Sequence, residues 1–136
     1  MMYSKEVKNN SVDVKNMNAL TLAFVGDSVH TLFVRKHFAL SGDYKPSALT
    51  RMTKELVNAG FQCKVFKSIE DLLSEEEKDV ARRARNTAKG QTAKNYSVSE
   101  YNYATAFEAL VGYLYLSGKH ERLYQILNLS LMEKKC

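Results

Sequence analysis

Little in this 136-residue sequence interrupts or staples a chain: it has one proline, six glycines, two cysteines and no tryptophan. The two cysteines, Cys63 and Cys136, lie far apart without C-x-x-C spacing, which excludes a disulfide framework and points to a reduced, cytoplasmic setting. No apolar run reaches the roughly 18 residues needed to span a membrane, so no membrane partner is expected. The opening MMYSKEVKNNSVDVKN lacks the apolar segment of a secretory signal. No P-loop, GxGxxG or GxSxG occurs, which removes the nucleotide-binding and serine-hydrolase classes those motifs mark. His37 and His120 share no metal-ligand spacing with Cys63.

What is present is a soluble-type composition, 45% hydrophobic and 26% charged, long enough for one domain with a proper core. The charge balance, 20 Lys+Arg against 15 Asp+Glu, leaves a net +5, which suits a nucleic-acid partner without requiring one. Residues 1–17 are polar and read as an arm; residues 18–136 read as the single domain. From Met17 to about Leu40 the apolar residues are too dense for a strand, and Leu20, Phe24, Leu32 and Phe33 are spaced for a mostly buried helix. Pro46, suited to a first helical turn, opens a second helix to about Phe66. Two S-x-x-E capping boxes, Ser74 with Glu77 and Ser97 with Glu100, start a third and a fourth. Ser117-Gly118 ends the fourth, and Leu123, Ile126, Leu127 and Leu131 form the stripe of a last one. The fold class is all-α, with about five main helices.

Two carboxylates are out of place. In LTLAFVGDSVHTLFV the one fixed charge is Asp27, and from Tyr101 to Leu116 it is Glu108. A lone ionised carboxylate in apolar surroundings costs on the order of several kcal/mol, so each calls for a partner. Small neighbours, Ala23 and Gly26 beside Asp27 and Ala104 and Gly112 beside Glu108, allow another helix or a ligand to approach closely. Two converging carboxylates repel unless a cation lies between them or one is protonated. Mg²⁺ suits such a pair, since it takes one or two carboxylates and fills its other positions with water and phosphate oxygens. The plainer alternatives are that Asp27 caps a helix starting at Ser28 and that Glu108 pairs with an arginine. His30, near Asp27, reads as packed or hydrogen-bonded rather than catalytic.

A third feature is RRARNTAKGQTAK, residues 82–94, with cations and no acid. Arg82, Arg83, Arg85, Asn86, Lys89, Thr92 and Lys94 are suited to meet a sugar–phosphate backbone, contacts that position a duplex without reading its sequence. Taken alone, the stretch is equally a solvated helix end with a loop.

Together these motifs resemble a known family. LAFVGDSVH resembles the signature helix of ribonuclease III endonuclease domains, and TAFEALVGYLYL resembles their second catalytic helix. KPSALTRMTKELVNAGFQCKVF, RRARNTAKGQTAKN and EYNYATAFEAL are similar to the compact Mini-ribonuclease III branch, so the likeness runs from about Asn18 to Leu131. It implies an all-α ribonuclease III fold that forms a homodimer and hydrolyses double-stranded RNA with Mg²⁺, leaving 5′-phosphate and 3′-hydroxyl ends. Asp27 and Glu108 would be the catalytic metal ligands. For the compact branch the implied substrate is the precursor of 23S ribosomal RNA, with ribosomal proteins as possible helpers. The chain ends where longer relatives continue into a double-stranded-RNA-binding domain, so the basic stretch is expected to supply part of the RNA affinity.

One departure stands out. Where full-length ribonuclease III carries further acids, this sequence has Ala23 and Thr105, as the compact branch does, so weaker metal binding is expected. The thinned acidic set also leaves room for a non-cleaving RNA- or ribosome-binding protein of the same fold. Against that stand the two retained acids, which a pure binder does not need. A nucleotide phosphohydrolase would share the acids without needing the basic stretch, and a helical interaction module would need neither.

Overall fold

The computed structural model describes residues 12–87 and 96–133. It contains six α-helices: α1 (Ala19–Ser41), α2 (Pro46–Leu56), α3 (Ala59–Ile69), α4 (Glu75–Thr87), α5 (Val98–Leu116) and α6 (His120–Met132). Short 3-10 turns at Val14–Asn16 and Glu70–Leu72 precede α1 and join α3 to α4. There is no strand among the described residues, in line with the all-α expectation.

The helix α5 is the axis of the domain, packed against α1, α3, α4 and α6. Its composition dictates this. From Ala104 to Leu114 every residue except Glu108 is buried, with Phe107, Leu110, Val111 and Leu114 filling the core. Fully burying each such side chain contributes about 1.5–3 kcal/mol. A helix apolar on all sides has no solvent face, so it is stable only when surrounded.

The capping boxes form as their spacing predicts. Ser74 Oγ accepts from the Glu77 amide at 3.1 Å, and Ser97 Oγ from the Glu100 amide at 3.0 Å. Glu77 also takes Arg122 of α6, whose Nε donates to Oε2 and whose guanidinium donates to Oε1, both at 2.9 Å. Burial alone would push the Glu77 carboxyl up, but these hydrogen bonds hold it below the usual range. At the far end of α5, Gly118 adopts φ 73°, a left-handed conformation that favours glycine.

Two expectations about helices are corrected. The single helix read from Pro46 to Phe66 is two, broken at Val57 and Asn58. Asn58 Oδ1 accepts from the Phe61 amide at 2.9 Å while its Nδ2 donates to the Lys54 carbonyl at 2.8 Å, so one side chain both stops α2 and caps α3. That split raises the count to six.

The second correction concerns α1, whose buried face is Ala19, Leu22, Ala23, Gly26, His30 and Val34. Leu20, Phe24 and Leu32 point outward instead, Phe24 being 78% exposed. Large apolar residues occur all round this helix, so their spacing selects no face. Gly26 selects it. A Cβ on Gly26 would overlap the Glu108 carbonyl oxygen and lie 2.9 Å from the Gly112 nitrogen. One on Gly112 would overlap the Leu22 carbonyl oxygen in turn. The two longest helices therefore touch backbone to backbone, through reciprocal glycines.

Candidate active site

Glycine contact at Gly26 places the next residue, Asp27, directly beside Glu108. The chain runs unbroken through α1 at this point, so Asp27 is mid-helix and not the cap of a helix starting at Ser28. Both acids line one hollow of about 340 Å³, together with Leu20, Ala23, Phe24, Tyr101 and Thr105. The expectation of two buried acids needs correcting: Asp27 is exposed at the rim, and Glu108 is half-buried. Asp27 lies off the buried face of α1, open to solvent. Glu108 is where the buried surface of α5 opens.

The electrostatics of the pair follow from this placement. Burial, then the Asp27 charge and a hydrogen bond with Asp27, push the Glu108 carboxyl up to about 8, opposed by a hydrogen bond from Gln62. Gln62 Nε2 reaches Glu108 Oε2 at 3.5 Å, so among the described residues Glu108 meets Asp27 and an amide rather than an arginine. The same nitrogen lies 3.1 Å from His30 Nδ1. His30 is buried and packs edge-on against Phe107 with ring centroids 5.0 Å apart. Burial drives its pKa down to about 4 despite the nearby Asp27 charge, so the ring is neutral at physiological pH. The reading of His30 as packed and hydrogen-bonded holds.

Sequence reasoning passed over Gln62. The available signal was a long polar side chain inside AGFQCKVF, where Phe61, Cys63, Val65 and Phe66 are all buried. A buried amide must find partners.

The donor set suits a hard divalent cation. It offers carboxylate oxygens from two helices on an open hollow, with a proton needed between them when no cation is there. Among the described residues no group of three His, Cys, Asp or Glu is arranged to hold a metal, so such an ion would keep much of its water.

The basic residues stand apart from this hollow, for none of the described arginines lines it. Arg82 is exposed and paired with Asp79. Arg83 also reaches Asp79, at 3.4 Å, and donates to the backbone carbonyls of Lys15 and Met17. Arg85 lies over the Tyr103 ring, 5.3 Å from its centroid, and Asn86 is exposed at the end of α4. Lys89, Thr92 and Lys94 lie outside the described residues.

An all-α domain with a carboxylate pair where its two longest helices meet matches one nuclease family. The Ribonuclease III domain model matches residues 20–119, so the chain belongs to the ribonuclease III family and is an endoribonuclease. Within that family it is similar to proteins named Mini-ribonuclease 3. The one from Thermoanaerobacter sp. (strain X514) is 46% identical over 118 residues, covering 87% of this chain and 83% of the relative. A Mini-ribonuclease 3-like protein of Ilyobacter polytropus is 41% identical over 123 residues, covering 90% of this chain and 96% of its own. The crystal structure of protein FN1578 from Fusobacterium nucleatum superposes with a TM-score of 0.81 at 35% identity, over 90% of this chain and 98% of that one. No described helix is long and apolar enough to cross a membrane.

Proposed function

We propose that this endoribonuclease cleaves double-stranded RNA with Mg²⁺, using Asp27 and Glu108 as its catalytic metal ligands, and that it acts as a cytoplasmic homodimer maturing precursor 23S ribosomal RNA. The observation that carries the reading is the meeting of the two acids in one open hollow, fixed by backbone contact between their helices. When bound, a divalent ion supplies a more acidic water and stabilises charge on the phosphodiester. Asp27, at the rim, faces the incoming phosphate, while Glu108 lies deeper and takes a donor from Gln62. Thr105 Oγ1 donates to the Tyr101 carbonyl at 2.9 Å and so tethers one wall of the hollow.

Homodimer formation is supported by large apolar side chains exposed along α1, Leu20, Phe24, Leu32 and Leu40. Leu20 and Phe24 also rim the hollow, so a second copy seated there would border the RNA path.

The test is incubation of a long RNA duplex and a precursor 23S stem with the protein in Mg²⁺ and in EDTA. Cutting in Mg²⁺ that leaves 5′-phosphates, and none in EDTA, is expected. Binding without cutting in either Mg²⁺ or Mn²⁺, on both RNAs, would move the chain to a non-cleaving RNA-binding role.

The basic residues give a separate prediction. Arg82→Ala and Lys89→Ala should each weaken duplex binding and lower the slope of log affinity against log salt by about 0.9 for each phosphate no longer neutralised. Arg83→Ala should also lower the melting temperature, because Arg83 ties α4 to the segment before α1. Fluorescence anisotropy across a salt series reads the first effect. Unchanged slopes in the Arg82 and Lys89 variants would remove the basic stretch from the RNA interface.

A further inference from the structure

The candidate site is backed by a short polar chain that runs into the core, from Glu108 to Gln62 to His30. A glutamine amide can turn either its oxygen or its nitrogen toward a neighbour. Here both neighbours of Gln62 Nε2 are acceptors, the Glu108 carboxylate at 3.5 Å and His30 Nδ1 at 3.1 Å. An –NH₂ group has two hydrogens, one for each. If Gln62 were flipped, its oxygen would face the carboxylate, and Asp27 already supplies negative charge there.

His30 is what selects the orientation. As a neutral ring it accepts at Nδ1 only with its proton on Nε2, which among the described residues has no hydrogen-bond partner. The ring therefore presents a lone pair to Gln62. An apolar residue would fill the same space against Phe107 without offering that acceptor.

We propose that Gln62, oriented by His30, is a positioning residue that fixes the Glu108 carboxylate on the side facing Asp27 and so sets the affinity of the site for its divalent ion. The proposal rests on the reading of Asp27 and Glu108 as the metal-holding pair. Neither Gln62 nor His30 lines the hollow; both lie behind Glu108. They act through Glu108 alone, as partners behind a metal ligand do; removing such a partner typically costs about 10–100-fold in affinity.

The experiment measures Mn²⁺ binding to the RNA-free protein by electron paramagnetic resonance, beside melting temperature and duplex affinity in EDTA. The proteins are wild type, Gln62→Met, His30→Phe, the double variant and Glu108→Gln. Gln62→Met keeps the volume and removes the donor. It is expected to bind Mn²⁺ about 10-fold more weakly, with duplex affinity in EDTA unchanged. His30→Phe should shift binding the same way, and the double variant should be no weaker than Gln62→Met, because His30 works only through Gln62.

Wild-type Mn²⁺ affinity in a folded Gln62→Met overturns the proposal, provided Glu108→Gln has lost binding. If Glu108→Gln itself binds Mn²⁺ like wild type, the metal-site reading falls instead. Should Gln62→Met not fold, His30→Phe decides: weakened Mn²⁺ binding supports the proposal and unchanged binding overturns it.

Discussion

Glu108→Gln is expected to abolish cleavage and, in EDTA at pH 8 or above, to raise the melting temperature. The two effects have one origin. Glu108 is held at about 8 against an ordinary 4.5 because burial and the Asp27 charge disfavour its anion. Between those values the folded protein keeps a proton that the unfolded chain has released. The unfolded state thus binds fewer protons, and the stability of the metal-free protein falls as pH rises through this window. Glutamine has no proton to lose, so the advantage of the variant is absent below pH 4.5, grows across the window and levels off above 8. A gain of roughly 3 °C or more is expected at the plateau, since about 1 kcal/mol moves a domain of this size by a few degrees.

Cleavage responds in the opposite sense. Removing one of two carboxylates strips much of the charge that holds the cation. Several kcal/mol of transition-state stabilisation is then lost, on the order of 10³-fold in rate or more. Asp27→Asn should lose cleavage as well. It should also make the metal-free protein less sensitive to pH, because the charge that opposes Glu108 ionisation is gone. Melting curves from pH 4 to 9, about the range over which Glu108 titrates, together with single-turnover cleavage assays, check both. A Glu108→Gln variant that cuts duplex RNA at the wild-type rate would remove Glu108 from the mechanism.

The second large effect belongs to the glycine pair. Gly26→Ala puts a Cβ where the Glu108 carbonyl oxygen already sits and within 2.7 Å of its carbonyl carbon. The obstacle is backbone on a buried helix rather than the end of a flexible side chain, so α1 and α5 must move apart. The expected cost is on the order of 4 kcal/mol or more, a large share of the roughly 5–15 kcal/mol that holds a domain folded. Gly112→Ala, which meets the Leu22 carbonyl, should be comparable. Far-UV circular dichroism melts should show both variants losing at least about 10 °C or failing to fold. A Gly26→Ala protein melting within 2 °C or so of wild type would mean that the helices are not in backbone contact.

These glycines also explain which parts of the molecule were legible in the sequence. Capping boxes at Ser74 and Ser97 are local devices, and both formed where their spacing put them. The isolated acids stood out because each interrupts an apolar helix, and the structure brings them together. The face of α1 was not legible, since large apolar residues surround that helix and the deciding partner is a glycine on α5, remote in sequence. The break at Asn58 was hidden because helical spacing carries across it and only the side-chain caps reveal it. Gln62 stayed unread for a related reason. A polar residue on a buried face signals that some partner exists but not which one, and here the partner is Glu108, on another helix.

The placement of α5 bears on how the chain is made. Synthesis releases α1, α2, α3 and α4 before α5, yet α5 is the surface on which α1, α3 and α4 pack. Asp27 is therefore translated long before Glu108, with which it lines the hollow. Until Leu116 has left the exit tunnel, the two halves of the hollow have no backbone contact to hold them together. A growing chain thus carries no assembled carboxylate pair, which arrives late, with the central helix.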